Sequence, residues 1–231
     1  MSEEIIRIGN CSGYYGDKLS AAKDMVEGGP LDVLTGDYLA ELTMTILFNQ
    51  KMQRGEDKGY VGTFLKQVKA VAETCKEKNI KIVTNAGGLN PSSMANEIEK
   101  ILEELGISLK VAYITGDDLM PRMDALIKEG EPFSNIDKQI PIEDSGCQTL
   151  TANAYLGAWG IKEALDAGAD IVVCPRVTEA ALVIGPAAWK FNWNRGDYDA
   201  LAGALAAGHI FELPLIHISE PTRLRRISYA V

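Results

Sequence analysis

The sequence predicts an α/β protein: a three-layer, mainly parallel open sheet of about five or more strands, with helices on both faces (Rossmann-like). Two observations carry this. Five short runs rich in Val and Ile alternate with longer segments of helical periodicity along the chain. Each run also ends in Gly, Asn, Asp or Pro, which stop a strand and open a helix. Strands separated by helices imply βαβ crossovers and hence parallel pairing.

Taken in order, residues 5–9 (Ile-Ile-Arg-Ile-Gly) form the first strand, which stops in the turn-rich stretch 10–17. A helix over about 18–26 ends at Gly28-Gly29-Pro30. The second strand is 31–35; Gly36-Asp37-Tyr38 turns it into a long helix running to about 53. Residues 54–59 are a glycine- and charge-rich loop. A helix over 61–78 leads to the third strand, 80–84, which opens into Asn85-Ala86-Gly87-Gly88-Leu89-Asn90-Pro91. Residues 92–105 are an amphipathic helix whose Glu and Lys form a solvated face. The fourth strand is 109–115, closed by Gly116-Asp117-Asp118, and a helix over 120–128 follows. Residues 130–145 read as an excursion or edge hairpin. Residues 151–167 read as a helix, 169–174 as the fifth strand and 178–189 as another helical segment. Asp197 caps a last helix reaching about 211.

The chain has 231 residues, 46% of them hydrophobic, which is ample for a packed core. Its 23 Lys+Arg against 32 Asp+Glu leave a net charge of −9, which argues against a generic phosphate-backbone binder. No apolar stretch has membrane-spanning length, and residues 1–10 carry no signal-peptide pattern. The expected partners are therefore a small-molecule substrate, with no nucleic acid and no membrane. Cys11, Cys75, Cys147 and Cys174 are scattered without a CxxC pair, so reduced thiols and a cytoplasmic location are expected. Residues 213–231 carry Arg223, Arg225 and Arg226 against Glu220 alone. They are read as a non-native or out-of-frame tail on a domain spanning 1–212 that looks truncated, and they are given no function.

In a parallel sheet all carboxyl ends lie along one edge, where open α/β folds bind ligands. The expected ligand-binding residues are the small and polar ones there: Asn10, Ser12, Gly13, Gly16, Gly36, Asn85, Gly87, Gly88, Asn90, Gly116, Arg176 and Thr178. Helix capping is the competing role for each. Gly9-x3-Gly13-x2-Gly16 looks like a phosphate cradle, yet it matches neither GxGxxG nor a P-loop, and Asp17 would repel a phosphate. Arg176 is the candidate to clamp a carboxylate or phosphate. Asp37, Asp117 and Glu179 are the candidate catalytic acids and bases. With Asp118 they could hold Mg²⁺, but no spacing specifies a metal, so none is expected, and no motif names a cofactor.

Other chemistries fail on inventory. Asn85-Ala86-Gly87 fits a short-chain dehydrogenase, but Tyr155 is followed four residues later by Trp159 where a lysine is needed. There is no Gly-x-Ser-x-Gly elbow to support a triad of Ser12 or Ser145 with His209. Cys11 and Cys147 are read as small hydrophobes rather than nucleophiles, and Trp159, Trp189 and Trp193 as packing.

The segments GNCSGYYGDK, LDVLTGDYLAELTM, TNAGGLNP, AYITGDDLMPR, TANAYLGAWGIKEAL and ADIVVCPRVTEAALVIGPAAWKFNW resemble, in order, the acyclic terpene utilisation (AtuA-like) family. Where the family usually has Thr-Gly-Arg-Val-Thr-Asp, this chain has Cys174-Pro175-Arg176-Val177-Thr178-Glu179, keeping the arginine, threonine and acid. The first-loop glycines, Asp37, Asn85, Gly88, Asp117 and Arg176 are matched positions. The resemblance implies bacterial breakdown of acyclic terpenes through branched acyl-CoA thioesters, with a CoA thioester as possible substrate and no assigned reaction. The expected function is an enzyme domain acting on a small carboxylate or branched acyl-CoA, with lyase, hydratase and acyl-transfer chemistry all open. The alternatives are a non-catalytic binding or assembly subunit of an acyl-CoA enzyme, or a nucleotide-binding module. A homo-oligomer or a partner acyl-CoA enzyme is possible with either.

Overall fold

The structure, a computed structural model, describes residues 5–218. Five strands, β1 (Ile8–Asn10), β2 (Val33–Gly36), β3 (Lys81–Thr84), β4 (Val111–Tyr113) and β5 (Ile171–Val173), form one sheet in the order β1-β2-β3-β5-β4. Every neighbouring pair is parallel, and the register sets Leu34 beside Ile82 and Ile82 beside Ile171.

Eight α-helices accompany the sheet among the described residues: α1 (Ala21–Gly28), α2 (Glu41–Arg54), α3 (Gly62–Lys78), α4 (Pro91–Glu104), α5 (Met123–Lys128), α6 (Trp159–Asp166), α7 (Ala181–Lys190) and α8 (Tyr198–Ile218). The sequence explains several ends. Asn90 caps α4, its side-chain oxygen accepting from Ser93 N at 3.2 Å, with Pro91 at the first helical position. Asn79 closes α3 in the left-handed region at φ 54°. Lys51 and Arg54 sit in the last turn of α2, where the helix dipole favours cations.

Both faces of the sheet are covered, so its strands are apolar on both sides. Leu34, Ile82, Ile171 and Val173 point into a core completed by α1, α3 and α4. Val33, Val83 and Val172 point into a second core completed by α6 and α7. Helices α1, α3 and α4 pack on one another, as do α6, α7 and α8, which makes the three layers. The chain steps outward from β1 to β3 and passes over one position to β4. It then returns to place β5 between β3 and β4. Consequently β3 and β5 are neighbours whose following helices, α4 and α7, lie on opposite faces. That divergence is where an open sheet leaves a crevice at its carboxyl edge.

Four expectations need correction. The helix expected over 151–167 begins only at Trp159. Residues 151–157 are extended instead, because they bridge two strand ends: Asp118 to Asn153 antiparallel and Leu156 to Val177 parallel. Residues 130–145 contain no strand, only loop and the short 3₁₀ turn Ile142–Asp144, so they are an excursion and not a hairpin. The first helix starts at Ala21 rather than residue 18, because Asp17 holds the preceding turn through its own hydrogen bonds. Finally, α8 continues past residue 211 to Ile218. Beyond that point the expected tail lies outside the described residues. Among the described residues, no helix is long and apolar enough to cross a membrane.

Candidate functional site

Parallel pairing brings the loops after all five strands to one edge, where their polar side chains form two hydrogen-bonded groups. The first ties β1, β2 and β3. Asp37 N donates to Ser12 O at 3.0 Å, and Asn85 Nδ2 donates to Asp37 Oδ1 at 2.6 Å. The Asn85 oxygen accepts from Tyr38 N at 2.8 Å, and Asp37 Oδ1 also accepts from Leu39 N at 3.2 Å. Asn10, Ser12, Asp37 and Asn85 are all buried. The first loop is organised around Asp17. Gly13 N and Lys18 N donate to the two oxygens of Asp17 at 3.0 and 2.7 Å, so a carboxylate of the chain occupies the place an anion would take. Gly16 lies exposed at φ 116°, and Gly36 packs under the Tyr38 ring.

At the β3–β5 junction the loops close on each other. Gly87 N donates to Cys174 O at 3.1 Å, and a Cβ on Gly87 would stand 2.6 Å from that oxygen. Gly88, at φ 52°, would meet Gly59 O at 2.8 Å. Both glycines therefore serve close approach of backbone to backbone. Asn90, besides capping α4, donates to Glu56 O at 2.9 Å and so fastens the loop after α2.

The second group joins β4 and β5. Asp117 Oδ2 accepts from Asn153 Nδ2 at 2.8 Å and from Arg176 N at 3.2 Å. The Arg176 guanidinium donates to Val177 O at 2.8 Å and to Glu179 Oε1 at 2.7 Å, and lies 3.9 Å from Glu41 Oε1. It also stacks 4.0 Å from the centre of the Tyr155 ring, whose hydroxyl bonds Glu41. Burial opposes the charge on Arg176, but Glu179 and Tyr155 more than restore it. The arginine is thus neutralised from within. Thr178 N bonds Leu156 O, and Gly116 at φ 114° is exposed and open. Asp37 and Glu179 belong to different groups; among the described residues no three His, Cys, Asp or Glu side chains gather closely enough to hold a metal ion.

Between α2, the loops after β3 and β4, and the extended segment 150–153 lies a cleft of about 230 Å³. Phe48, Met52, Leu89, Met120 and Leu150 make an apolar wall; Lys51, Glu56, Asp118, Thr151 and Asn153 supply the polar groups. Of these, sequence reasoning had noted only Asp118. Phe48, Lys51 and Met52 are spaced i, i+3, i+4, one face of α2. Thr151, Asn153 and Tyr155 alternate with Ala152, Ala154 and Leu156, a period of two that marks an extended segment. Asp117 stands behind the cleft, bonded to Asn153 on its lining.

Burial raises the Asp117 carboxyl above its usual value, against the lowering effect of its bonds to Asn153 and Arg176 N. The folded carboxyl then keeps its proton to a higher pH than the unfolded one. Stability therefore falls as pH rises through that interval and falls no further above it. Asp117→Asn removes this loss. Its stability relative to the parent protein is expected to climb from about pH 4 upward, as measured by urea unfolding across the acid range. A difference that stays flat with pH would show that Asp117 is not desolvated. Cys11 and Cys75 are buried, and burial pushes both thiols up to about 12, away from nucleophilic use.

The family model described as acyclic terpene utilisation family protein AtuA matches residues 6–213. No curated protein and no solved structure matches the chain.

Proposed function

The chain belongs to the acyclic terpene utilisation family, and from that premise we propose that its sheet edge binds and transforms a small carboxylic acid or the acyl part of a branched acyl-CoA. The observation that carries this reading is the cleft. Its lining joins an apolar wall to a few polar side chains, as acyl sites require. At about 230 Å³ it is smaller than the ~300–1,000 Å³ of sites that hold drug-sized ligands. An acyl chain would enter and a CoA nucleotide would stay outside.

Asp117 is the proton-transfer group in this proposal, because it is desolvated and bonded to Asn153 on the cleft lining. Asp37 and Glu179 instead hold loops and Arg176 in place. The reaction class within terpene catabolism stays at lyase, hydratase or acyl transfer. A cytoplasmic location accords with the buried thiols of Cys11, Cys75 and Cys174.

Thermal unfolding with and without ligand tests the reading. A branched acyl-CoA or its free acid at ~100 times its Kd adds about 2.7 kcal/mol, which raises Tm by roughly 5–10 °C for a chain of this size. Free CoA alone is expected to leave Tm unchanged. If branched acids and thioesters all leave it unchanged, the reading fails.

A further inference from the structure

Resting on the reading that the cleft takes an acyl group, we infer that Lys51 is the residue that holds the carboxylate of the ligand, so that the cleft prefers a branched monocarboxylate to the matching alcohol. Arg176 is already engaged: its guanidinium donates to Val177 O and Glu179 Oε1, lies 3.9 Å from Glu41 Oε1 and is covered by the Tyr155 ring. Among the described residues that line the cleft, Lys51 is the one cation.

Its surroundings suit the task. The stem of Lys51 runs over Gly59, with Cβ and Cδ each 3.5 Å from where a Gly59 side chain would start. That packing holds the stem, and Lys51 lines the cleft from the same helical face as Phe48 and Met52. The ammonium lies 2.9 Å from Glu56 Oε2, and the Glu56 side chain is 85% exposed. An ion pair with so exposed an acid contributes little and is readily exchanged. Glu56 therefore fills, from the chain itself, the position that a ligand carboxylate would take.

The second acid at the cleft, Asp118, is turned back on its own loop, where Oδ1 accepts from Met120 N at 2.9 Å. A single negative charge can replace Glu56 at Lys51, whereas a second would find no further cation among the described lining residues. The site thus selects monoanions with an apolar branched chain lying against Met52, Leu89 and Leu150.

Calorimetric titration of the full chain with 3,7-dimethyloctanoate and with 3,7-dimethyloctan-1-ol tests this. Lys51→Met keeps the stem and removes the charge; it is expected to weaken the acid about tenfold or more and to leave the alcohol unchanged. Glu56→Gln, which frees the ammonium, is expected to tighten the acid alone. Leu150→Asp, which puts a charge into the apolar wall, is expected to weaken both ligands. If Leu150→Asp weakens both while Lys51→Met leaves the acid untouched, the role of Lys51 is overturned and the acyl cleft stands. If neither ligand binds the parent protein, the cleft reading falls and Lys51 with it.

Discussion

Arg176→Ala is expected to lower stability by about 3 kcal/mol, the low end of the 3–5 kcal/mol found when one partner of a buried ion pair is removed. The guanidinium side chain is only 3% exposed and joins three elements: Val177 after β5, Glu179 ahead of α7 and Glu41 at the start of α2. Its loss leaves Glu179 without its cation and the Tyr155 ring without the group it covers. The low end applies because Glu41 and, in part, Glu179 can turn to water, their side chains being 79% and 31% exposed. For a chain of this size the corresponding fall in Tm is roughly 6–12 °C. Arg176→Lys is expected to recover only part of it, since an ammonium lacks the fork that reaches Val177 O and Glu179 together. Calorimetry with and without a branched acid checks both points. A variant that melts normally but loses the acid would make Arg176 a ligand clamp after all.

Arg176 also marks how far the sequence could be read. Strand existence and order along the chain were legible because Val-Ile runs and their Gly, Asn and Asp terminators are local signals. The insertion of β5 between β3 and β4 was not, since pairing depends on contacts between distant segments. The collection of polar strand ends at one edge followed from parallel pairing alone. Their partners did not: that Asp17 fills the first loop, or that Glu179 and Glu41 neutralise Arg176, is set by three-dimensional neighbours.

The segment 151–157 shows a second kind of loss. Its alanines and leucine favour a helix, and the helix that does follow at Trp159 encourages an early start. Yet Ala154 N bonds Asp117 O at 2.7 Å, Leu156 N bonds Arg176 O at 3.2 Å, and Thr178 N bonds Leu156 O at 2.9 Å. Pairing with two strand ends outweighs propensity there. Reading it as a helix hid the side of the segment that presents Thr151 and Asn153 to the cleft, and with it one wall of the cleft.

Asn85→Leu is expected to cost about 3–5 kcal/mol, although the side chain keeps its branching and its number of heavy atoms. Asn85 is fully buried, and its amide spans two groups on the neighbouring loop, donating to Asp37 Oδ1 and accepting from Tyr38 N. Leucine strands the Tyr38 N–H, which costs about 1–3 kcal/mol, and removes a hydrogen bond to a carboxylate worth about 1.5–3 kcal/mol. Asn85→Asp separates these contributions. It keeps an acceptor for Tyr38 N but sets a second carboxyl at the 2.6 Å position beside Asp37. Two carboxyls that close share a proton, so one of them titrates well above the unfolded value. The folded state then binds more protons than the unfolded one, and stability falls as pH rises from about 4. The aspartate variant is therefore expected to approach the parent in acid and to fall behind it at neutral pH, whereas the leucine variant stays low throughout. Urea unfolding at several pH values decides between them. If the leucine variant unfolds with the parent, the link from β2 to β3 through Asn85 does not hold the edge together.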